Sequence, residues 1–88
     1  MCGGWGEPTM PTVLRWNGFR FYFFSNEGDE QAHIHVDKAG STAKFWLDGV
    51  SLALNRGFNE RDLATIRDKI LAEREPFLRA WNEHFSHD

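Results

Sequence analysis

The chain has 88 residues, of which 41% are hydrophobic and 26% are charged, and its formal net charge is -3. This length predicts one domain, and the mild negative charge argues against bulk attraction to nucleic acid or to an anionic membrane. Cys2 is the only cysteine, which excludes an internal disulfide and favours a cytoplasmic location. The longest apolar run, Phe21 to Phe24, is far shorter than the roughly 20 residues that span a bilayer, so no membrane contact is predicted.

The first nine residues differ in composition from the rest. Residues 1–9 hold three Gly and one Pro without periodicity, and we expect a disordered tail there, or an extension that an upstream start codon or cloning has added. Met10 is the alternative native start. Residues 10–88 are then expected to form a single α+β domain.

Alternating hydrophobicity predicts an antiparallel meander of about four strands. Thr12 to Trp16 forms the first strand, and Asn17-Gly18 favours a type I′ turn into a second strand from Phe19 to Ser25. Two further strands are predicted, at residues 33–38 and 42–47. Residues 50–54 fit either a short last strand or an irregular crossing.

The carboxyl-terminal part predicts one long amphipathic helix packed on the meander. Asn59 is suited to cap its amino terminus, and apolar residues recur at three- and four-residue spacing from Leu63 to Phe85. Pro76 lacks an amide hydrogen and interrupts this stripe, so it predicts either a kinked helix or two helices that meet near Glu75.

Alternation also divides the strand residues between two faces of the sheet. One face is apolar and is expected to meet the helix: Phe19, Phe21, Phe23, Ile34, Val36, Ala43, Phe45 and Leu47. The other, here called the His face, mixes aromatic, cationic and imidazole groups: Arg20, Tyr22, Phe24, His33, His35, Lys44 and Trp46, with Asp37 beside them. Such a face is unusual for plain solvent exposure, so we expect it to contact a protein partner or a second copy of the chain, to be covered by the amino-terminal tail, or to bind RNA or another anion.

His33 and His35 lie two residues apart on a strand, so both imidazoles project from the same face. One hypothesis is a metal-independent ribonuclease in which the two rings act as general acid and base, while Lys44 or Arg20 stabilises an anionic transition state. The simplest hypothesis gives both histidines a role in packing and hydrogen bonding at an interface.

A third hypothesis is a divalent-metal site. His33 and His35 would then need an oxygen ligand, which Asp37, Glu30 or Asp29 offers. A catalytic zinc site usually has three protein ligands, and only two are evident in this sequence. No cofactor is therefore predicted, and a divalent metal remains the alternative.

Several short segments carry a family resemblance: Met10-Pro11-Thr12-Val13-Leu14-Arg15, Asn17-Gly18-Phe19-Arg20-Phe21-Tyr22-Phe23, Ser25-Asn26-Glu27-Gly28, His33-Ile34-His35-Val36, Ala43-Lys44-Phe45-Trp46-Leu47 and Gly57-Phe58-Asn59. With these segments the chain resembles a family of small prokaryotic proteins known as a domain of unknown function, number four-one-six-zero in its series. The resemblance covers Met10 to Phe85. Relatives usually have Pro-Pro before His-Ile-His, whereas this chain has Gln31-Ala32 there. Pro76 of this chain also interrupts a stretch that in relatives resembles uninterrupted helix.

The resemblance implies a small protein encoded beside another small protein, with a suspected toxin–antitoxin-like or related regulatory role. It implies no established reaction. The leading hypothesis is therefore a cytoplasmic binding or regulatory module, one half of a toxin–antitoxin-like pair, rather than an enzyme. The ribonuclease is the second hypothesis and metal binding is the third.

Overall fold

The computed structural model describes residues 12–24 and 30–85. Five strands form one antiparallel sheet in chain order and two helices follow: β1 Thr12–Trp16, β2 Phe19–Tyr22, β3 His33–Lys38, β4 Ser41–Trp46, β5 Ser51–Arg56, α1 Glu60–Ala72 and α2 Arg74–Phe85. The predicted α+β fold is confirmed, but the sheet has five strands rather than four. The tail predicted for residues 1–9 lies outside the described residues, as does Ser25.

Two tight turns set the register of the sheet. Asn17 and Gly18 have φ angles of 52° and 83°, which is the backbone of the predicted type I′ turn. Ala39 and Gly40 repeat this geometry between β3 and β4, with φ angles of 51° and 88°. A two-residue turn fixes the pairing of the strands that it joins. This second turn therefore decides which β4 residue lies opposite each histidine.

The predicted helix is divided into two. The Asn59 side chain accepts a hydrogen bond of 2.8 Å from the Asp62 amide, which confirms the predicted cap. The division falls at Glu73, close to the predicted position near Glu75, and Pro76 lies in the first turn of α2, where its missing amide hydrogen costs little. The Phe77 amide then donates to the Glu73 carbonyl oxygen at 2.9 Å.

The hydrophobic core lies between the helices and one side of the sheet. All of the strand residues predicted for this side are buried, and they meet the predicted helix stripe through Ile66, Ile70, Phe77 and Trp81. Aromatic rings fill much of the space: the ring centroids of Phe21 and Phe77 are 5.5 Å apart. Stacked and tilted ring pairs of this kind add to the stability that burial of their large apolar area provides.

The connection between β4 and β5 accepts hydrogen bonds from both helices. Arg74 donates from Nε to the Leu47 carbonyl oxygen at 2.8 Å, and Arg67 donates from Nε to the Val50 carbonyl oxygen at 3.3 Å. Val50 is buried with a φ angle of 51°, a conformation that β-branched residues rarely adopt. The helices therefore hold the turn that places β5.

Within the described residues, neither helix has the length and apolar character that a transmembrane span requires.

Candidate functional site

Strand pairing arranges the His face in rows that cross the sheet. The central row is Tyr22, His35, Lys44 and Leu54. The row on one side is Arg20, Asp37, Thr42 and Arg56. In the row on the other side, His33 lies opposite Trp46, which lies opposite Ser51. The structure thus brings together the side chains that alternation assigns to this face.

His33 has no exposed surface. Its ring centroid lies 4.8 Å from that of Trp81, 5.1 Å from that of His35 and 5.7 Å from that of Trp46. Its Nδ1 lies 2.8 Å from the Gln31 carbonyl oxygen. Because a carbonyl oxygen only accepts, Nδ1 carries the hydrogen in this bond.

The contact between His33 and Trp81 corrects one expectation, since the histidines were expected on the side away from the helix. β2 pairs with β3 only as far as Tyr22 and His35. No paired β2 residue lies beside His33 at this end of the sheet, so a side chain of α2 reaches it. Trp81 also contacts Phe23 at 5.1 Å, which joins the His face to the core at this point.

His35 belongs to an aromatic group in the centre of the face. Its ring is stacked on Tyr22 at 5.3 Å and meets Phe24 edge-on at 4.7 Å, and the residue is only 9% exposed. The Tyr22 hydroxyl donates to Asp37 Oδ1 at 2.9 Å. Burial, together with the bond to the Asp37 carboxylate and its charge, raises the pKa of Tyr22 to about 12. Tyr22 is therefore a hydrogen-bond donor near neutral pH and not a base.

The cations of the His face have partners within the chain. Lys44 Nζ donates to Glu30 Oε1 at 2.9 Å and lies 4.6 Å from the centroid of the Trp46 ring. Arg20 donates from Nε to Thr12 Oγ1 at 2.8 Å, and its guanidinium carbon lies 4.4 Å from the centroid of the Tyr22 ring. Such contacts stabilise the face by about 0.5–1 kcal/mol each at exposed positions. An anion would have to compete with them.

This arrangement bears on the ribonuclease hypothesis and on the metal-site hypothesis. His33, His35 and Lys44 lie next to one another, as general acid–base chemistry requires, but the His33 side chain is closed to solvent and Lys44 is bound to Glu30. For a metal, no three His, Cys, Asp or Glu side chains are placed to share an ion in the described ranges, and Asp29 lies outside them. The ribonuclease stays a prediction, and the metal site gains no third ligand.

The exposure of β5, one of the two alternatives for residues 50–54, was not predicted from the sequence. All six of its residues are exposed, and Leu52 and Leu54 are 46% and 44% exposed. Leu54 lies opposite Lys44, so β5 continues the His face outwards. The signal was present, since Asp48-Gly49 favours a turn and two leucines alternate after it, but residues 50–54 fitted an irregular crossing equally well.

A groove of about 390 Å³ lies elsewhere, between β1 and α2. Its lining is Thr12, Val13, Phe23, Ala80, Glu83 and His84. None of the seven predicted His-face residues lines this groove, so it does not form part of the candidate site.

Comparison with known proteins places the chain in a family. The family described as Domain of unknown function (DUF4160) matches residues 18–82. The chain belongs to this family. No curated protein and no solved structure matches it. The DUF4160 region contains all seven residues of the His face together with the whole of β5.

Proposed function

We propose that this DUF4160 protein is a small cytoplasmic binding module that contacts a protein partner, or a second copy of itself, at the outer part of the His face. The observation that carries the proposal is β5, a six-residue strand that is exposed along its whole length and presents Leu52 and Leu54. An exposed strand with free backbone groups offers a template for another chain. Two half-exposed leucines add apolar area to it.

The inner and outer parts of the His face have different roles in this proposal. Tyr22, His33 and His35 are buried and take their contacts from within the chain, so they support the face. Lys44 and Trp46 are partly exposed and adjoin β5. A partner would therefore touch the cation and the indole rather than the imidazoles.

The first helix also has an exposed leucine. Leu71 of α1 is 47% exposed and lies one helical turn after Arg67, whose side chain contacts the Val50 carbonyl. Residues four apart share one side of a helix. Leu71 and Leu52, which lies on the helix side of β5, are both about half exposed, and exposed apolar side chains favour a protein as the ligand.

The family resemblance supports a protein encoded beside this one as the partner. We propose that the two form a toxin–antitoxin-like pair. A cytoplasmic location agrees with the single cysteine, Cys2, because thiols remain reduced there. Fractionation of the native cell tests the location.

Co-expression with the neighbouring gene product tests the binding. We expect the two proteins to co-purify at a fixed ratio, and Trp46→Ala to weaken the complex about tenfold or more, since an aromatic anchor at an interface contributes over about 1.4 kcal/mol. Asn82→Ala, at an exposed position of α2, is the control and should have no effect. The proposal would be overturned if the protein did not bind the neighbouring gene product and stayed monomeric at every concentration.

The adjacency of His33, His35 and Lys44 favours a metal-independent ribonuclease as a second candidate. Purified protein would be incubated with RNA in the presence of a chelator. Cleavage that persists there and disappears in folded His33→Ala and His35→Ala variants would support this activity. Absence of cleavage, or cleavage that both variants retain, would exclude it.

A further inference from the structure

The outer side of β5 is a sheet edge with little protection. In the described sheet β5 pairs with β4 alone. Natural edges are commonly blunted by lysine, proline or inward-pointing charge. β5 has the sequence Ser-Leu-Ala-Leu-Asn-Arg, in which Arg56 is the only charged residue. Among the described residues, no strand pairs with the outer side of β5.

An irregularity in β5 decides which residues share a face. Leu54 lies opposite Lys44 but Leu52 lies opposite Phe45, so Ala53 is the extra residue of a bulge. Through their β4 partners, Ser51, Leu54 and Arg56 belong to the His face. Leu52 and Asn55 belong to the side that the helices cover elsewhere.

These assignments single out one antiparallel alignment of β5 with a second β5. Ser51 lies opposite Arg56 of the second copy, and Leu52 opposite Asn55 of the second copy, so each pair joins residues of the same face. A shift by one residue would place Leu52 opposite Arg56 or Ser51 opposite Asn55, which joins residues of opposite faces. Leu54 then lies opposite Leu54 of the second copy, and Ala53 is the bulged residue of each strand, so the other five residues of β5 are self-complementary in this register.

We propose that β5 is the interface through which a second copy of this chain binds, forming a continuous ten-stranded sheet about a two-fold axis that passes between Leu54 and Leu54 of the second copy. The inference rests on the proposed function and names its partner as a second copy. In this arrangement the two Arg56 side chains lie at opposite ends of the interface, where they do not repel each other. Each Arg56 lies opposite Ser51 of the other copy, and that Ser51 pairs with Trp46 of its own β4. Each Arg56 therefore adds a cation to the His face of the other copy.

The expected association is weak and depends on concentration. One strand of six residues buries less than the roughly 1,000 Å² of a stable interface. Two-fold symmetry uses every contact twice, however, and brings Leu54 close to Leu54 of the second copy across the axis. Leu54 is therefore the position at which a substitution acts most directly.

Analytical ultracentrifugation over a range of concentrations tests the dimer. Leu54→Lys places two like charges across the axis, and we expect it to raise the dissociation constant about tenfold or more. Asn82→Lys adds the same charge at an exposed position of α2 and should leave association unchanged. Hydrogen exchange should show protection of β5 amides that rises with concentration, while those of β1, at the other edge, stay constant.

Charge pairing tests the position of the axis. The Leu54→Glu protein alone should also fail to dimerise. A mixture of the Leu54→Lys and Leu54→Glu proteins should restore association, because a cation and a carboxylate then face each other across the axis. Restoration shows in addition that both variants are folded. A mixture that remains monomeric, or a wild-type chain that is monomeric at the highest concentration, would overturn the inference.

The two proposals fail in different ways. A monomeric chain that still binds its neighbouring gene product overturns the β5 dimer and leaves the binding module intact. A dimer that Trp46→Ala weakens but Leu54→Lys does not would place self-association around Trp46 of β4 and not on the edge of β5. A chain that neither dimerises nor binds its neighbour overturns both.

Discussion

β3 and β5 invert the usual relation between residue type and burial. β3 carries two histidines, and its first four residues are buried, whereas β5 carries two leucines and is exposed throughout. The difference arises from position, because β3 has a strand on each side and β5 lies at an edge. The buried imidazoles obtain contacts within the chain, while Leu52 and Leu54 keep nearly half of their surface exposed. The internal strand therefore provides stability, and the edge strand remains available for binding.

The sharpest test of this difference removes the same kind of aliphatic side chain from each strand. Ile34 of β3 is fully buried, so Ile34→Ala should lower the free energy of unfolding by about 2–5 kcal/mol. Leu52→Ala should change it by less than about 0.5 kcal/mol, since Leu52 is 46% exposed. Urea denaturation of dilute protein measures both. Similar losses at the two positions would show that β5 contributes to the core.

A second test asks whether the buried histidine serves structure. His33→Phe keeps a ring but removes the Nδ1 donor, which leaves the Gln31 carbonyl without this bond, and should cost about 1–3 kcal/mol of stability. His84→Phe makes the same replacement at a partly exposed position of α2 and should be close to neutral. Thermal and urea denaturation compare the two. A neutral His33→Phe would show that the hydrogen bond to the Gln31 carbonyl does not stabilise the fold.

A third test uses pH. The pKa of Tyr22 is about 12 in the folded chain and about 10 when unfolded, so between these values only the folded state keeps the proton. Tyr22 therefore makes its full contribution to the free energy of unfolding below pH 10. This contribution, up to about 2 kcal/mol, is lost as pH rises through 12. Tyr22→Phe should remove this component of the alkaline decline.

Tyr22 is the only tyrosine, so the ultraviolet absorbance of ionised phenol reports its titration directly. Ionisation near pH 10 in the folded protein would contradict both the burial of Tyr22 and its bond to Asp37.

Local patterns in the sequence determine much of the fold. The bounds of β1 and β3, the turn at Asn17-Gly18 and the cap at Asn59 are as predicted, because each depends on neighbouring residues alone. The apolar alternation of β2 to β4 likewise identifies the core side of the sheet. Local rules suffice where strand pairing follows from short turns.

The remainder depends on tertiary contacts. β5 follows a turn in which Val50 adopts a positive φ angle and Arg67 and Arg74 bind backbone carbonyls, and no pattern in residues 50–54 contains that information. The contact between His33 and Trp81 depends on where β2 stops and where α2 runs. The register of β2 to β4 agrees with alternation on which residues lie opposite one another, but alternation did not predict that the two histidines are buried.

The smallest expected effect is at Leu54. Leu54→Thr keeps a residue suited to strands and removes apolar area that is already 44% exposed, so unfolding of dilute protein should change by less than about 0.5 kcal/mol. Val36→Thr makes a comparable polar replacement in the fully buried part of β3, where an unpaired hydroxyl should cost about 1–3 kcal/mol. Denaturation in parallel with sedimentation separates stability from association. If Leu54→Thr leaves folding intact and weakens association, the exposed leucine serves binding, and β3 and β5 have the separate roles that their burial indicates.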